Sequence, residues 1–301
     1  MAHHHEHEQI NGKNLIITML LNFIITIAEF AGGLLSGSLS LMSDALHNFS
    51  DGMSVIISYL ALKISKRENT QRMTFGYKRA EILAALFNSS VLVIISVYLF
   101  KEAYFKLIKS EPINGRLMII IAIIGLVANA LSVSLLKEGA DKNLNVKSAY
   151  MHLLSDTLSS MGVVVGGIMI SAYRIYWIDP LLTVLIGIYI IKESFEIINE
   201  AVSILMQAAP RDINIEDIQK KIEGLPEVKN IHHVHIWKTN DDDVHFECHV
   251  NVKEDLTLSQ SKSVRNQIEE ILKELFHIHH VTLQMEYECC EDVGLIKNEK
   301  D

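Results

Sequence analysis

The chain has 301 residues, 49% of them apolar, with a mean hydropathy of +0.23 and only 4 Pro and 15 Gly, which excludes a disordered or collagen-like chain. Charge is unevenly spread: residues 1–207 hold 16 Lys/Arg and 16 Asp/Glu, while residues 208–301 hold 11 and 20 and carry the whole net charge of −9. A neutral apolar body followed by an acidic part has no basic patch for nucleic acid, and no such partner is expected.

Residues 1–12 carry His3, His4, His5 and His7, interrupted by Glu6. The run is either an affinity tag or a native metal-collecting tail, and the interruption favours the tail. With no basic n-region and no cleavage site, no signal peptide is expected. Six apolar stretches follow, at about 14–35, 39–64, 80–100, 114–136, 148–171 and 177–198. Each is long enough to cross a hydrocarbon core of about 30 Å. The first two are separated by Ser36-Gly37-Ser38 and form a tight hairpin. Lys63, Lys66, Arg67, Arg72, Lys78 and Arg79 lie between spans two and three, and Lys137, Lys142 and Lys147 between four and five. The positive-inside rule then puts both termini in the cytoplasm.

Fourteen histidines are present, yet between residues 8 and 231 there are two, His47 and His152. Each lies in a span and has an aspartate four residues on, Asp51 and Asp156, in the matching strings HNFSD and HLLSD. The match hints at a repeat with inverted halves. Residues i and i+4 share a helix face, so an imidazole and a carboxylate converge on one ion. Two such pairs supply two nitrogens and two oxygens, a tetrahedral shell suited to Zn²⁺, with Cd²⁺ or Co²⁺ able to follow. A buried aspartate in a span is costly and wants a partner. Protons compete with metal for these donors, so a site opened alternately to each side would exchange metal for protons. Ser40, Asp44, Ser54 and Ser58 in span two, and Ser148, Ser155 and Ser159 in span five, extend a polar stripe that reads as a wet path. Asp44 either orients His47 or faces water. Glu29, Asn22 and Asn129 are expected to bond between helices rather than line the cavity, and Gly162, Gly166 and Gly167 to allow close helix approach.

The acidic part reads helix, strand, strand, helix, strand. DINIEDIQKKIEGLP has helical periodicity, VKNIHHVHIWKT and VHFECHVNV alternate like strands, residues 259–276 form an amphipathic helix, and HHVTLQMEYE is a third strand. Alternation puts His233 and His235 on one face and His232 on the other. The fold expected is a membrane α-helical six-span bundle followed by a cytosolic α+β (αββαβ) domain. The parts are a tail at 1–12, a transport domain at 13–207, a cytosolic domain at 208–291 and a tail at 292–301. The cysteines Cys248, Cys289 and Cys290 are odd in number, two of them adjacent, so no disulfide framework is expected and a reducing compartment fits. Cys248 reads as core.

SLSLMSDALHNFSDG in the second span, FGYKRAE opening the third, SAYMHLLSDTLSSMGV in the fifth, and HHVHIW with VTLQMEYE in the tail resemble the cation diffusion facilitators, zinc-transporting branch. The resemblance covers nearly all of the chain beyond residue 12, and the nearest look is that of bacterial resistance exporters. It implies a homodimer in the bacterial inner membrane that exchanges cytoplasmic zinc for protons, and a metallochaperone-like cytosolic domain. It carries the transport site to His47, Asp51, His152 and Asp156, and a second zinc site to His232, His249, His279 and Glu286. Cys289 and Cys290 either join that second site or pair with the N-terminal histidines. The long histidine-rich loop of some members is absent between spans four and five, and residues 66–78 hold no histidine, so no metal is expected there. A membrane-anchored metal sensor that binds zinc without moving it is the alternative. No enzymatic activity is expected, because a full His₂Asp₂ shell leaves no open position for a substrate.

Overall fold

The computed structural model describes residues 12–109, 111–140, 144–240, 243–289 and 294–296. Six long helices come first: α1 (Gly12–Ser36), α2 (Leu39–Ser65), α3 (Ala80–Ile108), α4 (Gly115–Ala140), α5 (Leu144–Tyr173) and α6 (Ile178–Leu205). Then follow α7 (Ile215–Glu223), β1 (Val228–Lys238), β2 (Val244–Val252), α8 (Leu258–Phe276) and β3 (His280–Tyr287), the expected αββαβ order. The chain divides into two compact units, Met1–Leu60 with Phe87–Ile198, and Ala61–Leu86 with Asn199–Asp301.

The first unit is built for lipid. The shortest of the six helices has 25 residues, about 38 Å at about 1.5 Å per residue, which exceeds the hydrocarbon thickness. Among the described residues, α3, Gly115–Lys137 and Tyr150–Tyr173 also have the mean hydropathy of a span, at 2.2, 2.6 and 1.6. Polarity is inverted relative to a soluble bundle. Ile94, Ile120, Leu131, Val165 and Ile188 face outward, while Ser89, Ser96, Asn129, Ser132 and Ser160 are buried. An apolar exterior on this scale is a patch that only hydrocarbon or a partner covers. Helix α2 is the least apolar of the six because its inward stripe of Ser40, Ser43, Asp44, His47 and Asn48 is buried. The small residues of α5 act partly as expected. A Cβ on Gly167 would stand 2.8 Å from Ile119 of α4, and one on Gly166 would collide with Leu182 of α6, whereas Gly162 has only a 4.0 Å neighbour.

One anchor has no counterpart in the sequence analysis. Asp179, in the first turn of α6, is fully buried and accepts from Ser38 Oγ (2.6 Å), Leu39 N (2.8 Å), Ser40 N (3.1 Å) and Ser40 Oγ (2.6 Å). These are the orphan amides at the start of α2, and a carboxylate there also complements the helix dipole. The helix that carries His47 and Asp51 is thus capped by another helix.

In the second unit the sheet order is β1-β2-β3, antiparallel between β1 and β2 and parallel between β2 and β3. Val244, Phe246, Cys248 and Val250 of β2 point into a core with Ile218 and Ile222 of α7 and Val264, Ile268 and Leu272 of α8. The spacing of four along α8 makes one apolar face. Thr257 and Gln260 close a capping box at its start, and His277, in the left-handed region at φ 55, ends it. Cys248 is core, as expected, and burial pushes its thiol up to about 12. The remaining β2 residues, His245, Glu247, His249 and Asn251, belong to the opposite face, since side chains alternate along a strand.

Candidate metal centres

His47 and Asp51 lie one turn apart on α2, and His152 and Asp156 one turn apart on α5. Across the helices they interleave. His47 Nε2 lies 3.5 Å from Asp51 and 3.6 Å from Asp156, and His152 Nε2 lies 3.1 Å from Asp51 and 3.7 Å from Asp156. Each imidazole therefore faces both carboxylates. A tetrahedral shell with bonds of about 2.0–2.2 Å holds its donor atoms about 3.3–3.6 Å apart, and these four His–Asp separations bracket that spacing. His47, His152 and Asp156 each offer one atom within 4.8 Å of the others, while Asp51 stands beside this trio, close to both imidazoles. His47 Nε2 and Asp156 Oδ2 are buried without a hydrogen-bond partner although each lies close to oppositely polar atoms, the condition of a donor set shaped for an ion. His47 and Asp156 are buried, but the His152 side chain is 38% exposed, so the set is open on the His152 side.

The surrounding polar stripe is used differently from the expectation. Asp44 neither faces water nor bonds His47: it is buried and accepts from Ser159 (3.0 Å) and Ser160 (3.0 Å) of α5. Ser40 is taken up by Asp179, and Ser54 bonds Ser50 O (2.9 Å) and Asn88 of α3. Ser40 and Ser54 thus tie helices together. The side chains of Ser58 and Ser148 lie outside those described.

The cytosolic unit brings together His232, His249 and Glu286. Glu286 spans the pair, with Oε2 3.2 Å from His232 Nε2 and Oε1 2.8 Å from His249 Nδ1. His232 is buried, and both of its ring nitrogens lack hydrogen-bond partners. Cross-strand register produces the cluster, because His232 pairs with His249, and Glu286 pairs with Asn251 two residues further along β2.

His279 does not join these donors. The parallel ladder sets His280 opposite His245, so exposed His279 lies seven residues from Glu286, about 23 Å along an extended chain. Alternation holds for His233 and His235, whose rings stand 5.0 Å apart, but fails to keep His232 away from them. A register shift between His232 and His235, with His233 at φ 52, brings both His232 and His233 against His249, at ring-centroid distances of 5.2 and 4.7 Å. A bulge of this kind reorients side chains, and alternation does not reveal it. Cys289 is not one of the converging donors; its carbonyl accepts from Asn251 (2.7 Å). Cys290 and His3, His4, His5 and His7 lie outside the described residues.

Six membrane-length helices with two facing His–Asp pairs, followed by a small domain with its own His–Glu cluster, make a membrane protein with candidate sites for divalent metals. Comparison with known proteins agrees. Residues 15–206 match the model for the cation efflux transmembrane domain, and residues 210–288 match that for the cation efflux protein cytoplasmic domain. The chain is 37% identical over 292 residues to the cadmium, cobalt and zinc/H(+)-K(+) antiporter of Bacillus subtilis, covering 96% of this chain and 93% of that protein. It is 34% identical over 290 residues to the metal cation efflux system protein CzcD of Cupriavidus metallidurans, covering 96% and 91%. With the zinc transporter ZitB of Escherichia coli it is 33% identical over 307 residues, covering 99% and 97%. The chain belongs to the cation diffusion facilitator family of zinc, cadmium and cobalt efflux transporters and is an integral membrane protein.

Proposed function

We propose that this chain exports Zn²⁺, with Cd²⁺ and Co²⁺ as further cargo, from the cytoplasm in exchange for protons by alternating access at His47, Asp51, His152 and Asp156. The observation that carries the reading is the interleaving of two i,i+4 pairs at 3.1–3.7 Å, the donor spacing of one tetrahedral ion. The imidazoles must be neutral and the carboxylates ionised to bind metal, so entry of the ion displaces protons and their return displaces the ion. The name of the Bacillus subtilis relative, an antiporter for protons and potassium, supports the exchange. The protein acts as a homodimer in the bacterial inner membrane, with residues 13–207 as the transport domain, residues 208–291 as a cytosolic metal-binding domain and both termini cytoplasmic. His232, His249 and Glu286 hold a regulatory or structural zinc there.

The test is zinc flux into proteoliposomes under an imposed pH gradient, for wild type and for Asp51→Ala/Asp156→Ala. Flux that follows the gradient in the wild type and vanishes in the double variant is the expected result. Binding without flux in folded wild type would mean a sensor. Undiminished flux in the variant would keep the transporter and remove the site.

A further inference from the structure

Glu29, in α1, is fully buried yet is not among the converging donors His47, His152 and Asp156. Its Oε2 accepts from Asn48 Nδ2 of α2 at 3.1 Å. Its Oε1 is buried with no hydrogen-bond partner. That oxygen lies against the bare backbone of α4 at Gly125, where a Cβ would collide with it. Asn129, one turn further along α4, donates to Ser160 (3.4 Å), which in turn donates to Asp44. Asn48 Oδ1 and Asn129 Oδ1 are likewise buried and unpartnered.

Glu29 Oε1, Asn48 Oδ1 and Asn129 Oδ1 are all acceptors, so what these three lack is hydrogen or positive charge. The ionisable groups whose charge acts on Glu29 are Asp44 of α2 and Asp156 of α5, both acidic, and the α4 residue against its Oε1 is Gly125. A bare buried carboxylate that also feels the charge of two others is costly. A protonated Glu29 removes one charge and supplies the missing hydrogen at Oε1. An alkali ion needs several oxygens around it, and Oε1 has helix backbone for a neighbour, with carbonyls already used within α4. The occupant that fits is a proton.

We propose that Glu29 is a proton-carrying site of the transport cycle, separate from the metal quartet: it is protonated in the metal-free protein and releases its proton when a divalent ion enters between α2 and α5. The O–H bond of Glu29 breaks, its electron pair stays on the carboxylate, and the proton leaves to water. The positive charge of the ion beside Asp156 offsets the new carboxylate charge, so the two events are coupled without contact. This proposal rests on the metal–proton exchange reading above.

The test counts protons. Full-length protein is titrated with Zn²⁺ by calorimetry in buffers of different ionisation enthalpy, and the proton-to-zinc ratio of flux is measured in proteoliposomes. Glu29→Gln keeps shape and Asn48 contact; it should still bind zinc at the quartet but release one proton fewer per zinc, and Glu29→Asp should restore the wild-type count. Independently of any variant, zinc addition to wild type should remove a protonated-carboxyl band from the infrared difference spectrum. An unchanged proton count in folded Glu29→Gln, or no such band in wild type, overturns the proposal. So does flux that tracks a potassium or sodium gradient through Glu29 with the proton count intact. Failure of wild-type flux to respond to pH would instead sink the exchange reading itself.

Discussion

The two donor clusters use the same side chains and differ in how the backbone supplies them. In the membrane unit, helix periodicity alone sets each His–Asp pair, and each imidazole meets both carboxylates within 3.7 Å. In the cytosolic unit, the donors come from three strands, and one carboxylate serves both histidines. In each unit three donors converge, His47, His152 and Asp156 in the first and His232, His249 and Glu286 in the second, and in the first Asp51 adds a carboxylate 3.5 and 3.1 Å from the two imidazoles. The membrane set is exposed on its His152 side, where that side chain is 38% exposed. A three-donor shell depends on what completes it, so its affinity can respond to assembly or solvent. The difference teaches that helices make such a site from spacing, while a sheet makes it from register.

The largest effect that could break this comparison is in the membrane. Each aspartate bridges two histidines, so Asp51→Ala or Asp156→Ala alone should lower transport by about 100-fold or more, beyond what loss of a mere supporting contact causes. Flux in proteoliposomes reads it, and a single variant that keeps wild-type flux would show that the quartet is not one unit. The next effect is smaller and confined to the tail. His249→Ala/Glu286→Ala should weaken zinc binding to the cytosolic domain by about 10–100-fold and lower the zinc sensitivity of transport, while flux at saturating zinc persists. His279→Ala should leave that affinity where it was. If His279→Ala matched the double variant, the distance along β3 would not describe the working site.

Much of this was legible in the sequence, and the failures have physical causes. Hydropathy and alternation supplied the six helices and the αββαβ order because both follow from burial of one face or stripe. The quartet was legible because i,i+4 geometry holds for any helix, and His47 and His152 are the two histidines of the membrane part. The placement of His279 failed because a parallel pairing after an α8 crossover fixes its register through packing, not through letters. The bulge at His233 failed for a related reason: a left-handed residue breaks alternation without any glycine to announce it. Asp179 carries no signal at all, since an aspartate opening a helix looks the same whether it caps its own helix or another.

A third histidine environment lies on the same sheet. His245 and His280 stand 4.2 Å apart, closer than the histidines of either cluster, and His245 stacks on Trp237 at 5.3 Å and 11°. Among the described residues no carboxylate bridges this pair as Glu286 bridges the other. Phe75 packs edge-on against His245 at 5.4 Å, and Lys78 bonds Asp243 at 2.6 Å. Burial, then His280 and Lys78, hold His245 below the ordinary histidine value of 6.5, and Asp243 only partly opposes them. The sign follows: the folded state prefers the neutral ring, so this contribution to stability is full above about pH 6.5 and declines as pH falls toward the lowered folded value, because the unfolded chain takes up the proton first. Melting of the full chain, followed by Trp237 fluorescence in a Trp177→Phe background, should therefore shift to lower temperature on acidification below that point. His245→Gln should flatten the shift without altering zinc binding at His232, His249 and Glu286. An equal acid shift in His245→Gln would assign the effect to the liganding histidines, and the contrast between a histidine pair with a carboxylate and one without would be lost.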